Sequence, residues 1–92
     1  MGNAIITMRI MPESTEADLK KIEEHALKLI SAYADERQKK VTITPIAFGL
    51  KAVDIMFMMD EKKGDTEPLE KQLQEIPEVQ GVEVIDVRRA LG

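Results

Sequence analysis

A short connection at residues 44–51 (TPIAFGLK) constrains the fold of this chain more than any other segment. Val41 and Ile43 alternate with threonines before it, and Val53, Ile55, Phe57 and Met59 recur at every second position of the largely apolar run 52–59 after it. Such alternation is typical of β-strands. The connection is too short for a crossover, so the two strands must pair as an antiparallel hairpin. Gly49 supplies the positive φ that a tight turn can require.

The other segments complete a β-α-β-β-α-β order. Alternating patterns and helical spacing predict strands at residues 3–11, 41–44, 52–59 and 81–87, and helices from about residue 16 to 34 and from about residue 66 to Pro77. Ser14 or Thr15 is the expected N-cap of the first helix, and Asp65 or Thr66 that of the second. In the last strand, the pair Val84-Ile85 breaks the alternation.

This order predicts an α+β fold of the ferredoxin-like type, a βαββαβ sandwich. Right-handed crossovers give a four-stranded antiparallel sheet of order 4-1-3-2, with both helices on one face and residues 1–92 forming a single domain. The other face of the sheet is left open. Its expected side chains are Ile5, Arg9, Met11, Asp54, Met56 and Met58. This face is either a binding or dimer surface or an ordinary open sheet face.

Composition excludes several classes of function. The 92 residues include no cysteine and one histidine, so we expect no metal site of ordinary make-up and no cofactor. No apolar run approaches the roughly 18–20 residues of a membrane span, and we expect a cytoplasmic protein without a membrane partner. A net charge of -4 argues against direct binding of nucleic acid.

Motifs for covalent catalysis are absent from the sequence. There is no P-loop, dinucleotide fingerprint or nucleophile elbow. Acylphosphatase shares the predicted topology, but the segment after the first strand, residues 11–16 (MPESTE), has no glycine and carries two acids that would repel phosphate. We therefore expect no enzyme and no catalytic residues.

Phe48 points instead to binding of a partner, because an aromatic ring at a turn is suited to insertion into a partner's pocket.

Three segments resemble archaeal elongation factor 1-beta: residues 11–14 (MPES), 45–50 (PIAFGL) and 84–89 (VIDVRR). The resemblance extends over nearly the whole chain. It implies a guanine-nucleotide exchange factor for the GTPase elongation factor 1-alpha, in which Phe48 presses into the GTPase and the end of the last strand reaches toward its magnesium ion and phosphates. The implied partner-binding residues are Pro45, Ile46, Phe48, Gly49, Asp86, Arg88 and Arg89.

One position departs from the pattern of the eukaryotic relatives, where a lysine next to the C-terminus is thought to enter the magnesium site. The corresponding residue here is Gly92, and no lysine follows Lys71. Either Arg88 or Arg89 takes part of that role, or the corner at Phe48 carries most of the activity.

Two alternatives to an exchange factor remain at this point. An exchange factor of this kind is expected to be monomeric when free. A ligand-sensing regulatory domain would instead dimerise through its sheet, and solution mass would separate the two. An RNA-binding sheet is disfavoured by the acidic charge and by the lack of aromatic side chains on the open face.

Overall fold

Alternating apolar side chains build the sheet, and the predicted order of elements is confirmed in the computed structural model, which describes residues 2–34, 39–60, 62 and 65–90. The strands are β1 (Asn3–Pro12), β2 (Lys40–Pro45), β3 (Lys51–Asp60) and β4 (Val79–Ala90), and the helices are α1 (Leu19–Tyr33) and α2 (Glu67–Gln74). A short 3-10 turn, Ala47–Gly49, joins β2 to β3. The strands are antiparallel in the order β2-β3-β1-β4, which is the predicted order read from the other edge.

The hydrophobic core lies between the two helices and one face of the sheet. Both helices contribute to the same buried cluster, as predicted. Its members are Ile6, Met8, Ile10, Ile22, Ala26, Ile30, Val53, Ile55, Phe57, Met59, Leu69, Leu73, Ile76 and Val79. Full burial of a large apolar side chain stabilises a fold by about 1.5–3 kcal/mol. This cluster therefore fixes which face of each strand points toward the helices and which face stays open.

The first helix begins later than the sequence pattern predicts. Asp18, and not Ser14 or Thr15, is the N-cap, and its carboxylate accepts hydrogen bonds from the backbone N–H groups of Lys20 and Lys21 at 3.1 and 3.2 Å. Ser14 Oγ accepts a hydrogen bond from the backbone N–H of Glu16 instead, within a turn that precedes the helix. The prediction of a start near residue 16 was wrong because three capping residues compete, and Asp18 satisfies two amides at once.

The second helix begins at Glu67, after Thr66, with Pro68 in its first turn. Asp65 Oδ1 accepts a hydrogen bond from the backbone N–H of Glu67 at 2.9 Å. The hydroxyl of Tyr33 donates to the carbonyl oxygen of Asp65, which ties the end of α1 to the start of α2. Among the described residues, no helix is long and apolar enough to span a membrane.

Candidate functional site

The corner between β2 and β3 is closed by two backbone hydrogen bonds. The N–H of Ile46 donates to the carbonyl oxygen of Leu50 at 2.8 Å, and the N–H of Leu50 donates to that of Ala47 at 3.2 Å. Two successive residues inside the corner have left-handed backbones, Phe48 with φ 62° and Gly49 with φ 75°. The predicted positive φ of Gly49 is confirmed. The positive φ of Phe48 was not predicted from the sequence.

Phe48 is unusual in both its backbone and its exposure. A left-handed backbone costs an L-residue other than glycine roughly 1–2 kcal/mol, and Asn or Asp tolerates it better than Phe does. Burial of the ring does not offset this cost within the chain, because the residue is 94% exposed. Backbone strain that is retained without a packing gain is typical of functional sites. The corner thus presents an aromatic ring to solvent on a tightly closed turn.

The corner lies near the turn that precedes α1. A Cβ atom built on Gly49 would lie 3.8 Å from Cγ2 of Thr15, which is ordinary van der Waals contact. The same turn is linked to the connection between α2 and β4, because the N–H of Glu13 donates to the carbonyl oxygen of Glu78 at 2.8 Å. Three connections therefore meet at one end of the sheet.

The charged end of β4 lies at the opposite end of the sheet. Arg88 is paired with Ile5 and Arg89 with Ala4, near the start of β1. The two ends are separated by the stretch of β3 from Lys51, beside the corner, to Met58, which is level with Arg88 across the sheet. At about 3.3 Å per residue this length is roughly 23 Å.

The structure accordingly does not gather the predicted binding residues into a single cluster. The first group, Pro45, Ile46, Phe48 and Gly49, lies at one end of the sheet. Arg88 and Arg89 lie toward the other end, and Asp86 is opposite Thr7 near the middle of β1.

A β-bulge at Ile85 decides which side chains β4 presents on each face. Thr7 is paired with Asp86, whereas the next residue of β1, Met8, is paired with Val84, so Ile85 has no opposite residue. Without the bulge, Asp86 would continue the inward series of Val84 and would lie over the core. The break in alternation at Val84-Ile85 was the sequence signal of this feature.

The bulge moves Asp86 and Arg88 to the open face. Arg88 Nε donates a hydrogen bond to Asp86 Oδ2 at 2.9 Å, with the Arg88 side chain largely exposed and that of Asp86 partly exposed. Arg89, one residue further on, lies on the face that carries the helices. The two arginines that the sequence left as alternatives therefore point to opposite sides of the sheet.

A polar network that the sequence did not predict lies at the centre of the open face. Arg9 and Asp54 are opposite each other on β1 and β3 and form a bidentate ion pair, with both N–O distances 3.0 Å. The hydroxyl of Thr44 donates to Asp54 Oδ2 at 2.8 Å. Both charged residues had been assigned to this face, but their pairing depends on register, which a single strand does not reveal.

The network controls the ionisation of Asp54. Burial of this carboxyl, which is 8% exposed, by itself raises its pKa. Hydrogen bonds from Arg9 and Thr44, together with the charge of Arg9, outweigh that effect and leave the pKa of Asp54 below its ordinary value. The hydrogen bond to Asp54 in turn raises the pKa of Arg9. The pair is thus a stable ionised unit.

Comparison with known proteins matches residues 5–90 to the family described as the EF-1 guanine nucleotide exchange domain. The chain belongs to this family. It is 38% identical to elongation factor 1-beta of Methanosphaera stadtmanae over 99% of this chain and 100% of that protein. It is 37% identical to elongation factor 1-beta of Methanosarcina barkeri over 97% of this chain and 99% of that protein.

A solved structure supports the fold alone. A de novo designed protein, Foldit4, has a TM-score of 0.62 with 19% sequence identity, over 98% of each chain. The family match itself includes both ends of the sheet, from the corner at Phe48 to Arg89. Gly92 lies outside the matched range and outside the described residues.

Proposed function

We propose that this chain is a guanine-nucleotide exchange factor that promotes release of GDP from elongation factor 1-alpha during translation elongation. It belongs to the EF-1 guanine nucleotide exchange domain family. The observation that carries the assignment of the site is the ring of Phe48, which is 94% exposed on a left-handed backbone at the hairpin corner. An exposed aromatic side chain on a closed turn is well suited to serve as a binding anchor.

Phe48 supplies the apolar part of the contact. Full burial of a phenylalanine side chain contributes about 1.5–3 kcal/mol, enough to make it a principal contact. Pro45 is exposed and Ile46 half-buried beside it, so both extend the apolar surface of the corner. Gly49 allows the chain to leave the corner with φ 75°. Because the corner is closed before binding, little conformational entropy is lost when the ring enters a pocket.

Exchange needs no covalent step from this protein. A factor that binds one conformation of a GTPase more tightly shifts the GTPase toward that conformation. This coupling is reciprocal. If the factor weakens the binding of nucleotide to the GTPase, then nucleotide weakens the binding of the factor by the same free energy. The chemistry required of the exchange factor is therefore recognition of a shape and a charge distribution.

The end of β4 is the second proposed contact, facing the magnesium ion and phosphates of the GTPase as the family resemblance implies. Arg88 and Asp86 lie on the open face, and Arg89 lies on the helix face. A partner that covers one face meets only one arginine. Single substitutions of Arg88 and Arg89 by alanine should therefore differ in their effect on exchange.

The test is release of a fluorescent GDP analogue from the cognate elongation factor 1-alpha in excess unlabelled GDP. We expect this protein to accelerate release and Phe48→Ala to reduce the acceleration about tenfold or more, from the loss of ring burial of at least about 1.5 kcal/mol. Ile43→Ala is the matched control, because Ile43 is an exposed apolar residue on the edge strand β2 outside the corner. It should leave the rate of release unchanged.

Two results would contradict the proposal. Absence of acceleration by folded protein, with a GTPase that binds and hydrolyses GTP, would refute the exchange function. If Phe48→Ala accelerates release as much as the wild type does, the exchange function stands, but Phe48 is not its principal contact. Circular dichroism of each variant separates these results from loss of folding.

A further inference from the structure

The strand that leads into the corner has little packing of its own. β2 is an edge strand of six residues that pairs with β3, and none of its side chains is fully buried. Segments with few buried contacts open locally at a small cost in free energy. The corner that follows gains no packing from Phe48, which is largely exposed. The restraint on this end of β2 must therefore come from backbone pairing and from polar side chains.

Thr44 supplies a polar restraint close to the corner. Its hydroxyl donates a hydrogen bond to Asp54 Oδ2 at 2.8 Å. Asp54 lies opposite Thr42 in the register of the two strands, so the hydrogen bond runs diagonally across the β2–β3 pair. Two residues separate Thr44 from the turn Ala47–Gly49. The bond therefore ties the edge strand to a central strand just before the chain turns.

The acceptor of this hydrogen bond is itself held in place. Arg9 donates to both carboxylate oxygens of Asp54, each at 3.0 Å, and lies opposite Glu83 of β4 on its other side. Because each oxygen of Asp54 already accepts a hydrogen bond from Arg9, the hydroxyl of Thr44 is not the sole partner of either. Its distinct effect is to connect the end of β2 to a charged pair on the two central strands.

The corner requires such a restraint because its backbone is strained. Phe48 has φ 62°, a left-handed conformation that phenylalanine disfavours. Strained backbone persists only where the surrounding structure over-determines it. If the end of β2 were released, residues 46–50 could relax into conformations that direct the ring elsewhere.

We propose that Thr44, held by Asp54 and Arg9, is a positioning residue that keeps the corner in the conformation that presents Phe48. The inference rests on the proposed exchange function. Thr44 acts through the conformation of the corner and not by contact with the GTPase. The fraction of molecules whose corner is competent to bind then sets the apparent affinity for the GTPase.

The first measurement is amide hydrogen exchange of the free full-length chain, followed by NMR. Thr44→Val removes the hydroxyl and retains the β-branched shape. It should lower the protection of the Ile46 and Leu50 amides, whose hydrogen bonds close the corner, by about fivefold or more, because a hydrogen bond to a charged group is lost. Amides of the central strands β1 and β3 should keep their protection, which shows that the fold is intact.

The second measurement is release of the fluorescent GDP analogue as a function of the concentration of this protein. Thr44→Val should raise the concentration that gives half-maximal acceleration about fivefold, while the maximal rate stays within about twofold of the wild type, because the competent corner is rarer but unchanged once bound. Thr44→Ser retains a hydroxyl and should restore both the protection and the half-maximal concentration. Thr42→Val is the matched control, since it makes the same change on the same strand, and it should have no effect.

Several results would overturn the proposal. Unchanged protection of Ile46 and Leu50 in Thr44→Val would show that the hydroxyl does not hold the corner. Loss of protection across the whole sheet, without rescue by Thr44→Ser, would assign Thr44 a general structural role. A loosened corner with an unchanged half-maximal concentration would show that its rigidity does not matter for exchange.

Failure of the proposed function gives a different result. If the wild type does not accelerate release, the exchange function is refuted and Thr44 positions nothing for it. The hydrogen-exchange comparison of Thr44→Val with Thr42→Val still decides, without the GTPase, whether the Arg9–Asp54–Thr44 network holds the corner.

Discussion

Substitution of Phe48 by asparagine should stabilise the free protein while impairing its proposed function. The ring is 94% exposed, so about 6% of a side-chain surface of roughly 200 Å², or about 12 Å², is buried. At about 25 cal/mol/Å², its removal costs about 0.3 kcal/mol. Asparagine tolerates the left-handed backbone at φ 62° better than phenylalanine, for which this backbone costs roughly 1–2 kcal/mol. The expected net gain is about 0.5–1 kcal/mol.

The assay is reversible unfolding by urea and by heat, followed by far-ultraviolet circular dichroism. A gain of this size should raise Tm by about 2–8 °C, because 1 kcal/mol corresponds to about 4–8 °C in a domain of this size. Phe48→Ala serves as the comparison, since it removes the ring and retains the left-handed strain. Its free energy of unfolding should lie within about 0.5 kcal/mol of the wild type.

The difference between Phe48→Asn and Phe48→Ala isolates the backbone strain. If both variants are destabilised by more than about 1 kcal/mol, the ring packs against the protein in solution and the argument from exposure fails. If Phe48→Asn is no more stable than Phe48→Ala, the corner is not strained at this residue. A stabilised variant that no longer accelerates GDP release would show that the corner retains phenylalanine at a cost in stability.

Two further substitutions test the central network and the first helix. Asp54, whose pKa is lowered in the folded protein, contributes stability that is present above the unfolded-chain pKa of about 3.9 and is lost as the pH falls through the lower folded-state value. The free-energy difference between wild type and Asp54→Asn, measured by urea unfolding, should therefore narrow as the pH falls below the unfolded-chain pKa and through the lower folded-state pKa, and a constant difference would contradict this. Asp18→Ala should cost about 1 kcal/mol by loss of the N-cap, with Asp18→Asn close to wild type in the same assay. Equal losses in both would mean that charge, not capping, stabilises the helix.

The architecture could be predicted from the sequence because its signals are local. The alternation around residues 41–59 and the short connection within it require a hairpin, and helical spacing places Ile22, Ala26 and Ile30 on one buried stripe. The start of α1 could not be predicted in the same way, because Ser14, Thr15 and Asp18 are all capping residues. Which of them becomes the N-cap depends on the backbone path of the preceding turn.

The details of the site depend on interactions between strands. The left-handed backbone of Phe48 results from closure of the hairpin by the hydrogen bonds of Ile46 and Leu50. Phenylalanine itself disfavours this backbone conformation. The pairing of Arg9 with Asp54 requires the register of two strands that are distant in sequence. The bulge at Ile85 was visible as an irregularity, but its consequence for Asp86 and Arg88 follows only once β4 is aligned with β1.

The separation between the corner and the end of β4 bears on how recognition can drive exchange. A single contact that fits both conformations of a GTPase equally would bind without shifting them. The two contacts proposed above, about 23 Å apart on a packed sheet, would act differently, because both would be satisfied only when the corresponding sites on the GTPase have that spacing. The buried core and the Arg9–Asp54 pair between the two ends resist bending of the sheet. The free energy of the second contact is then available to favour the GTPase conformation that holds GDP weakly.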